Sequence, residues 1–171
     1  MPLLILSLVV GSWMAHWLGQ RTRQLAHTDW SVVPELTGTT IAELPLANGQ
    51  SIALQDTGVP HVLYLFQNDC ALCDAQRAHV AELLEAVPAG EALSATAQPA
   101  QLSPGYWSDL GSPVVAPVGA DSAWLAAHHM GSLPMLLFID KNGRVSKAIR
   151  GSMLSWSDGA VVEELKRAGS T

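Results

Sequence analysis

The sequence predicts an α/β fold, a central mixed sheet flanked by helices, with an apolar N-terminal helix set apart from it. Three observations lead there. Val62-Leu63-Tyr64-Leu65-Phe66 is an unbroken apolar, β-prone run, the pattern of a buried strand. After it, Leu72, Val80, Leu83, Leu84 and Val87 recur largely at steps of three and four, the period of a helix face. Further on, Met135-Leu136-Leu137-Phe138-Ile139 is a second apolar run, entered through Pro134. Lys141-Asn142-Gly143 then turns the chain, so that residues 144–150 return antiparallel.

The length of 171 residues suits one domain plus an appendage. Apolar residues make up 49% and charged ones 14%, so a sizeable core can be buried. The formal net charge of -6 gives no reason to expect nucleic acid as a partner.

Residues 2–18 are almost wholly apolar, with His16 the only titratable side chain. That stretch is near the lower limit for crossing a bilayer core, about 17 residues. Trp13 and Trp17 lie near one end, as an interfacial belt would. No small-x-small cleavage pattern follows, so residues 1–20 are expected to be an uncleaved membrane anchor; a cleaved signal peptide is the alternative. Arg21 and Arg23 follow the span, and the positive-inside rule alone would put the rest of the chain in the cytoplasm.

Residues 21–43 are mixed and polar, with Pro34 and Gly38, and are expected to be a stalk. The folded domain is expected over 44–171. It opens on a hairpin, because Leu44-Pro45-Leu46 and Ser51-Ile52-Ala53-Leu54 flank Asn48-Gly49, a strong turn signal. The central strand and a helix to about Val87 follow, stopped by Pro88 and Gly90. Residues 92–97 suit a second parallel strand, 98–112 a loop and 113–118 another strand. Asp121 can cap a helix through Ala123, Trp124, Leu125 and Ala127, ended by Gly131. After the antiparallel pair, Val161, Val162, Leu165 and Ala168 line one face of a last helix, with Gly169 expected just past its end.

Cys70 and Cys73 are the only cysteines, and they stand where the buried strand gives way to the helix. Backbone N–H groups at a helix N-terminus favour an anion, and a thiolate placed there is stabilised. The thiolate is the nucleophile of disulfide exchange, and a second thiol one turn on can close a disulfide with the first. Two other readings remain open. Half of a zinc site has this spacing, but two further ligands would be needed and no other cysteine exists. A purely structural bridge would close so short a loop that it would add little stability.

In this order of elements the sequence resembles the thioredoxin superfamily, and within it the membrane-tethered bacterial thiol-disulfide oxidoreductases of the TlpA, ResA and CcmG type. The matching residues are Leu44-Pro45 with Asn48-Gly49, Cys70-Ala71-Leu72-Cys73, Leu133-Pro134, Phe138-Ile139-Asp140 with Gly143, and Arg150-Gly151. The resemblance covers residues 44–167. It implies a thioredoxin-like fold in which Pro134 is a cis proline facing the cysteines and Leu133 offers backbone to a substrate peptide. It implies Cys70, Cys73 and Pro134 as the catalytic residues. The partners it implies are protein thiols and disulfides and an upstream membrane electron donor, with no cofactor and no metal. It also favours a domain facing the periplasm from the bacterial inner membrane, against the orientation that Arg21 and Arg23 suggest.

The sequence departs from that family in three places. Asp69 stands where Trp usually precedes the first cysteine. Ala71 and Leu72 replace a motif that often holds Pro. Gln76 replaces a Glu that some members use in proton handling. The Trp-less motif and the anchor are also similar to the MauD-type proteins of methylamine dehydrogenase biogenesis. Asp69 and Asp74 flank the cysteines, and nearby negative charge disfavours a thiolate. A less stabilised reduced form means a lower reduction potential, which favours a reductant or isomerase over a strong oxidant. An ordinary N-cap is the other reading of Asp69. His61 and His79 are expected to be unremarkable, His79 on the helix surface. His128 and His129 suit a solvated pair near a helix end, with copper ligation beside the two cysteines as the rival. The function classes left are therefore an oxidoreductase acting on protein disulfides, and a copper-binding metallochaperone or non-catalytic interaction domain.

Overall fold

A computed structural model of the chain describes residues 30–45, 49–67, 70–96 and 122–170. The described strands are β1 (Ser31–Val32), β2 (Glu43–Pro45), β3 (Ser51–Ala53), β4 (His61–Phe66), β5 (Ala92–Thr96), β6 (Met135–Ile139) and β7 (Val145–Arg150). The helices are α1 (Ala71–Glu85), α2 (Ser122–Ala127) and α3 (Asp158–Gly169).

Five strands form one mixed sheet in the order β1-β7-β6-β4-β5, and β2 pairs with β3 apart from it. β5 runs parallel to β4, whereas β6 is antiparallel to β4, β7 to β6 and β1 to β7. The apolar runs read as strands are thus the two central ones, and every residue of β4 and of β6 is buried. Successive side chains of a strand point to opposite faces, so each run feeds two cores. Val62, Tyr64, Phe66, Leu136 and Phe138 pack with Val80, Leu84, Val161 and Leu165 of α1 and α3. Leu63, Leu65, Leu137 and Ile139 pack on the other face with Val33, Leu36, Ile41, Leu54, Leu125 and Met130.

The expected hairpin forms, with Leu44 opposite Ile52 and Gly49 at φ 82° in its turn. The β6–β7 turn is tied by Asp140, whose Oδ1 accepts from the N–H groups of Asn142 and Arg144. Gly143 there has φ 78°, a conformation a side chain resists, and a Cβ on it would come within 2.9 Å of the Ile41 carbonyl oxygen.

Two expectations change. The stalk was expected to reach residue 43, but residues 30–43 belong in good part to the domain. β1 adds a strand to the sheet edge, and Val33, Leu36 and Ile41 are buried in the second core. α3 continues through Gly169 and is capped at Ser170, one residue later than expected. The anchor over 1–20, the loop over 98–112, the strand over 113–118 and the Asp121 cap lie outside the described residues. Among the described residues no helix is long and apolar enough to cross a membrane.

Candidate redox site

β4 ends at Phe66, and α1 begins at Ala71, five residues on, with Cys70 as its N-cap. Cys70 has extended backbone (φ -108°, ψ 103°), and its Sγ accepts the N–H of Cys73 at 3.1 Å. That bond is the ordinary N-cap interaction, made here by sulfur instead of a hydroxyl. Cys70 and Cys73 are joined as a disulfide, with Cα atoms 5.2 Å apart. Their exposure differs. Cys70 is half-buried, whereas Cys73 has 1% of its surface exposed and packs in the core under α1.

The Leu133–Pro134 peptide is cis, as the resemblance implied. Leu65 pairs with Met135 across β4 and β6, so Pro134 enters β6 at the level where Phe66 leaves β4 towards the cysteines. Pro134 is buried and Leu133 half-buried. The Pro134 carbonyl accepts the Gly151 N–H at 3.1 Å, which joins this turn to the segment after β7. Asp74 is exposed in the first turn of α1, where a carboxylate complements the helix dipole. Asp69 lies outside the described residues.

Gln76 was noted only as a departure from a family pattern, and the structure gives it a definite place. It is fully buried, its Nε2 donates to the Tyr64 hydroxyl at 3.2 Å and its Oε1 accepts the Met153 N–H at 2.7 Å. His79 was expected on the helix surface and is partly buried instead. Its Nε2 lies 3.1 Å from the Met153 carbonyl oxygen and 3.0 Å from that of Trp156, so it donates to this carbonyl pair. Gln76 and His79 together clamp residues 153–156 to α1 behind the cysteines. Nothing in the sequence marks Gln76 as buried, and it is burial that obliges such a side chain to find hydrogen-bond partners.

His61 is also buried. Its Nε2 lies 3.1 Å from the Thr57 hydroxyl, its Nδ1 is buried without a hydrogen-bond partner among the described residues, and its pKa is lowered by desolvation, which the nearby Gly90 backbone opposes. It sits at the start of β4, the end away from the cysteines. His128 is half-buried, with Nδ1 donating to the Trp124 carbonyl at 2.9 Å and its ring against the Trp124 indole; His129 is exposed at φ 58°. Among the described residues no three His, Cys, Asp or Glu side chains are grouped to hold a metal ion.

No family profile and no curated protein matches the sequence. Solved structures do. The exposed lipoprotein thioredoxin Etrx1 of Streptococcus pneumoniae matches with a TM-score of 0.54 at 21% identity, over 75% of this chain and 99% of that one. A secreted disulfide oxidoreductase of Mycobacterium tuberculosis matches with a TM-score of 0.52 at 15% identity, over 73% and 94%. ScoI of Bradyrhizobium japonicum, solved with copper bound, matches with a TM-score of 0.51 at 18% identity, over 77% and 99%. At these identities the likeness establishes the fold, which is thioredoxin-like.

Proposed function

We propose that this thioredoxin-fold chain is a thiol-disulfide oxidoreductase that reduces or isomerises disulfides of protein substrates through Cys70 and Cys73. One observation carries the reading. The two sulfurs form a disulfide at the N-terminus of α1, one half-buried and the other in the core. A bridge across one helical turn adds little to stability. A thiolate at that position is stabilised by helix N–H groups and is a competent nucleophile. Cys70 attacks a substrate disulfide, one substrate sulfur leaves as a thiolate, and a mixed disulfide remains. Cys73 then displaces the second substrate sulfur and closes the Cys70–Cys73 bond. The substrate leaves reduced by two electrons, and an upstream membrane donor returns the pair to the dithiol. Pro134 and Leu133 hold the substrate segment during exchange, and Asp69 and Asp74 keep the potential low.

We further propose that residues 2–18 anchor the protein in the bacterial inner membrane, with the domain in the periplasm. Support comes from the apolar span and its two tryptophans. A phosphatase fused after Thr171 is then active in the periplasm; activity of a cytoplasmic reporter at the same point would mean that Arg21 and Arg23 set the orientation.

A second reading, copper transfer, rests on the likeness in fold to copper-bound ScoI and on two thiolates as soft ligands. Insulin reduction beside a copper titration separates the two. The oxidoreductase reduces insulin with dithiothreitol as donor and loses this in Cys70→Ser. A chain that binds copper through both thiols and leaves insulin intact is a carrier instead.

A further inference from the structure

The cis turn at Pro134 is held from two directions, and both lead back to one side chain. On one side, Tyr64 of β4 pairs with Leu136 of β6, two residues past Pro134. On the other, the Gly151 N–H donates to the Pro134 carbonyl at 3.1 Å, and Met153 stands two residues past Gly151. Gln76 joins the two. Its Nε2 donates to the Tyr64 hydroxyl at 3.2 Å, and its Oε1 accepts the Met153 N–H at 2.7 Å. Gln76 stands on the helix that Cys70 caps, six residues on, or about 9 Å along the axis. One helix thus carries the cysteines at its start and, a turn and a half later, the side chain that fastens the turn opposite them.

The connecting segment has little freedom of its own. Ser152 and Met153 are buried, and Gly151 has φ 106°, a conformation that side chains rarely adopt. His79, three residues beyond Gln76, donates through Nε2 to the carbonyls of Met153 and Trp156. Met153 is therefore gripped at its N–H by Gln76 and at its carbonyl by His79. Burying an amide costs free energy unless its polar atoms are paired. Both ends of Gln76 are paired, and a satisfied buried network fixes one arrangement where an apolar side chain would only fill space.

We propose that Gln76 is a positioning residue for disulfide exchange. By holding Tyr64 and Met153 together it sets the Leu133–Pro134 turn at the distance from Cys70 that a substrate needs to pair its backbone at Leu133 and present its sulfur to Cys70 at once. The inference rests on the exchange reading above and deepens it. Gln76 touches neither substrate nor the reacting sulfurs in this role, so its effect falls on substrates that have a backbone to pair. A small disulfide without peptide groups does not use the turn.

The test compares two disulfides with one leaving group. The first is a hydrophilic peptide whose single cysteine is joined to 2-mercaptoethanol, and the second is bis(2-hydroxyethyl) disulfide. The full chain in detergent is reduced with dithiothreitol and freed of it before mixing. Cys70 takes the peptide sulfur and 2-mercaptoethanol leaves as its thiolate. Cys73 then displaces the peptide thiol, and the two protein thiols end as the disulfide, their protons passing to the two products. Acid quench and thiol labelling read the fraction of protein oxidised. The wild type reduces the peptide about tenfold faster than the small disulfide, the scale that one or two backbone hydrogen bonds supply. In Gln76→Met, which keeps the bulk and removes the acceptor, that ratio falls to about two. Melting temperatures establish that the variant is folded. If it is not, His79→Leu decides in its place, since it loosens the same residue at the carbonyl and lowers the ratio likewise. A folded variant that is less stable but keeps the tenfold ratio overturns the proposal and leaves Gln76 a purely structural role. A wild-type ratio of one overturns it too, because the turn then contributes nothing to exchange. A wild-type chain that reduces neither disulfide sinks the exchange reading itself, and the positioning role with it.

Discussion

The backbone N–H of Cys73 donates to Cys70 Sγ at 3.1 Å, across the first turn of α1. A cap bond therefore joins the two residues that also share the disulfide. Once the disulfide is reduced, the same N–H and the helix dipole favour negative charge on the Cys70 sulfur. The half-buried sulfur is thus the one the backbone stabilises, and the core sulfur is the one shielded from outside disulfides.

Alkylation of the reduced protein should follow that asymmetry. Iodoacetamide at neutral pH is expected to label Cys70 about tenfold or more ahead of Cys73, given thiolate stabilisation and access at the helix start. Timed quenching and peptide mass mapping read the order directly. Faster labelling of Cys73 would reverse the roles.

Gln76 should be worth more to stability than its position one turn past the cysteines suggests. Gln76→Ala removes the acceptor of a buried Met153 N–H, removes a donor to Tyr64 and leaves a void in a filled core. The expected loss is about 2–4 kcal/mol. Urea unfolding checks it, and a loss below 0.5 kcal/mol would mean that the clamp on residues 153–156 holds without this side chain.

Gly143 has φ 78°, and an added Cβ would meet the Ile41 carbonyl oxygen at 2.9 Å. Gly143→Ala should therefore cost about 2–3 kcal/mol, from the left-handed backbone and the close contact together. An unchanged melting temperature would show that the turn relaxes freely.

Stability should also fall on the acid side because of His61. Burial lowers its folded pKa below the ordinary 6.5. Below pH 6.5 the unfolded chain then binds more protons than the folded one, so stability drops as pH falls towards the folded pKa and is level above 6.5. Urea midpoints between pH 7.5 and 5 should slope less in His61→Phe than in the wild type. Equal slopes would contradict the assignment.

What could be read from the chain was what repeats locally. Val62 to Phe66 and Met135 to Ile139 are continuous apolar runs because both faces of each strand are covered, and that pattern needs no knowledge of the partners. Asn48-Gly49 and Asn142-Gly143 marked their turns for the same local reason. Val33, Leu36 and Ile41 could not be read as core, since they stand three and five apart among polar residues, proline and glycine, with no strand or helix period. Their burial follows from β1 pairing with β7, more than a hundred residues away. His79 and Gln76 were missed for a related cause. Their partners are backbone groups of Met153 and Trp156, and a backbone group has no signature in a sequence. The cysteine pair and the cis proline were legible in the candidate site; the clamp behind them was not.

The most direct test of the account is covalent trapping in cells. Cys73→Ser leaves Cys70 able to attack and nothing to resolve the product, so mixed disulfides with partner proteins should accumulate and disappear on reduction. Cys70→Ser should give few, because Cys73 is buried. The chains are purified under acid quench and the partners identified by mass spectrometry with and without dithiothreitol. Abundant reducible complexes in Cys73→Ser and few in Cys70→Ser are the predicted result. Equal trapping by both variants, or by neither, would contradict Cys70 as the attacking thiol of a protein disulfide exchange.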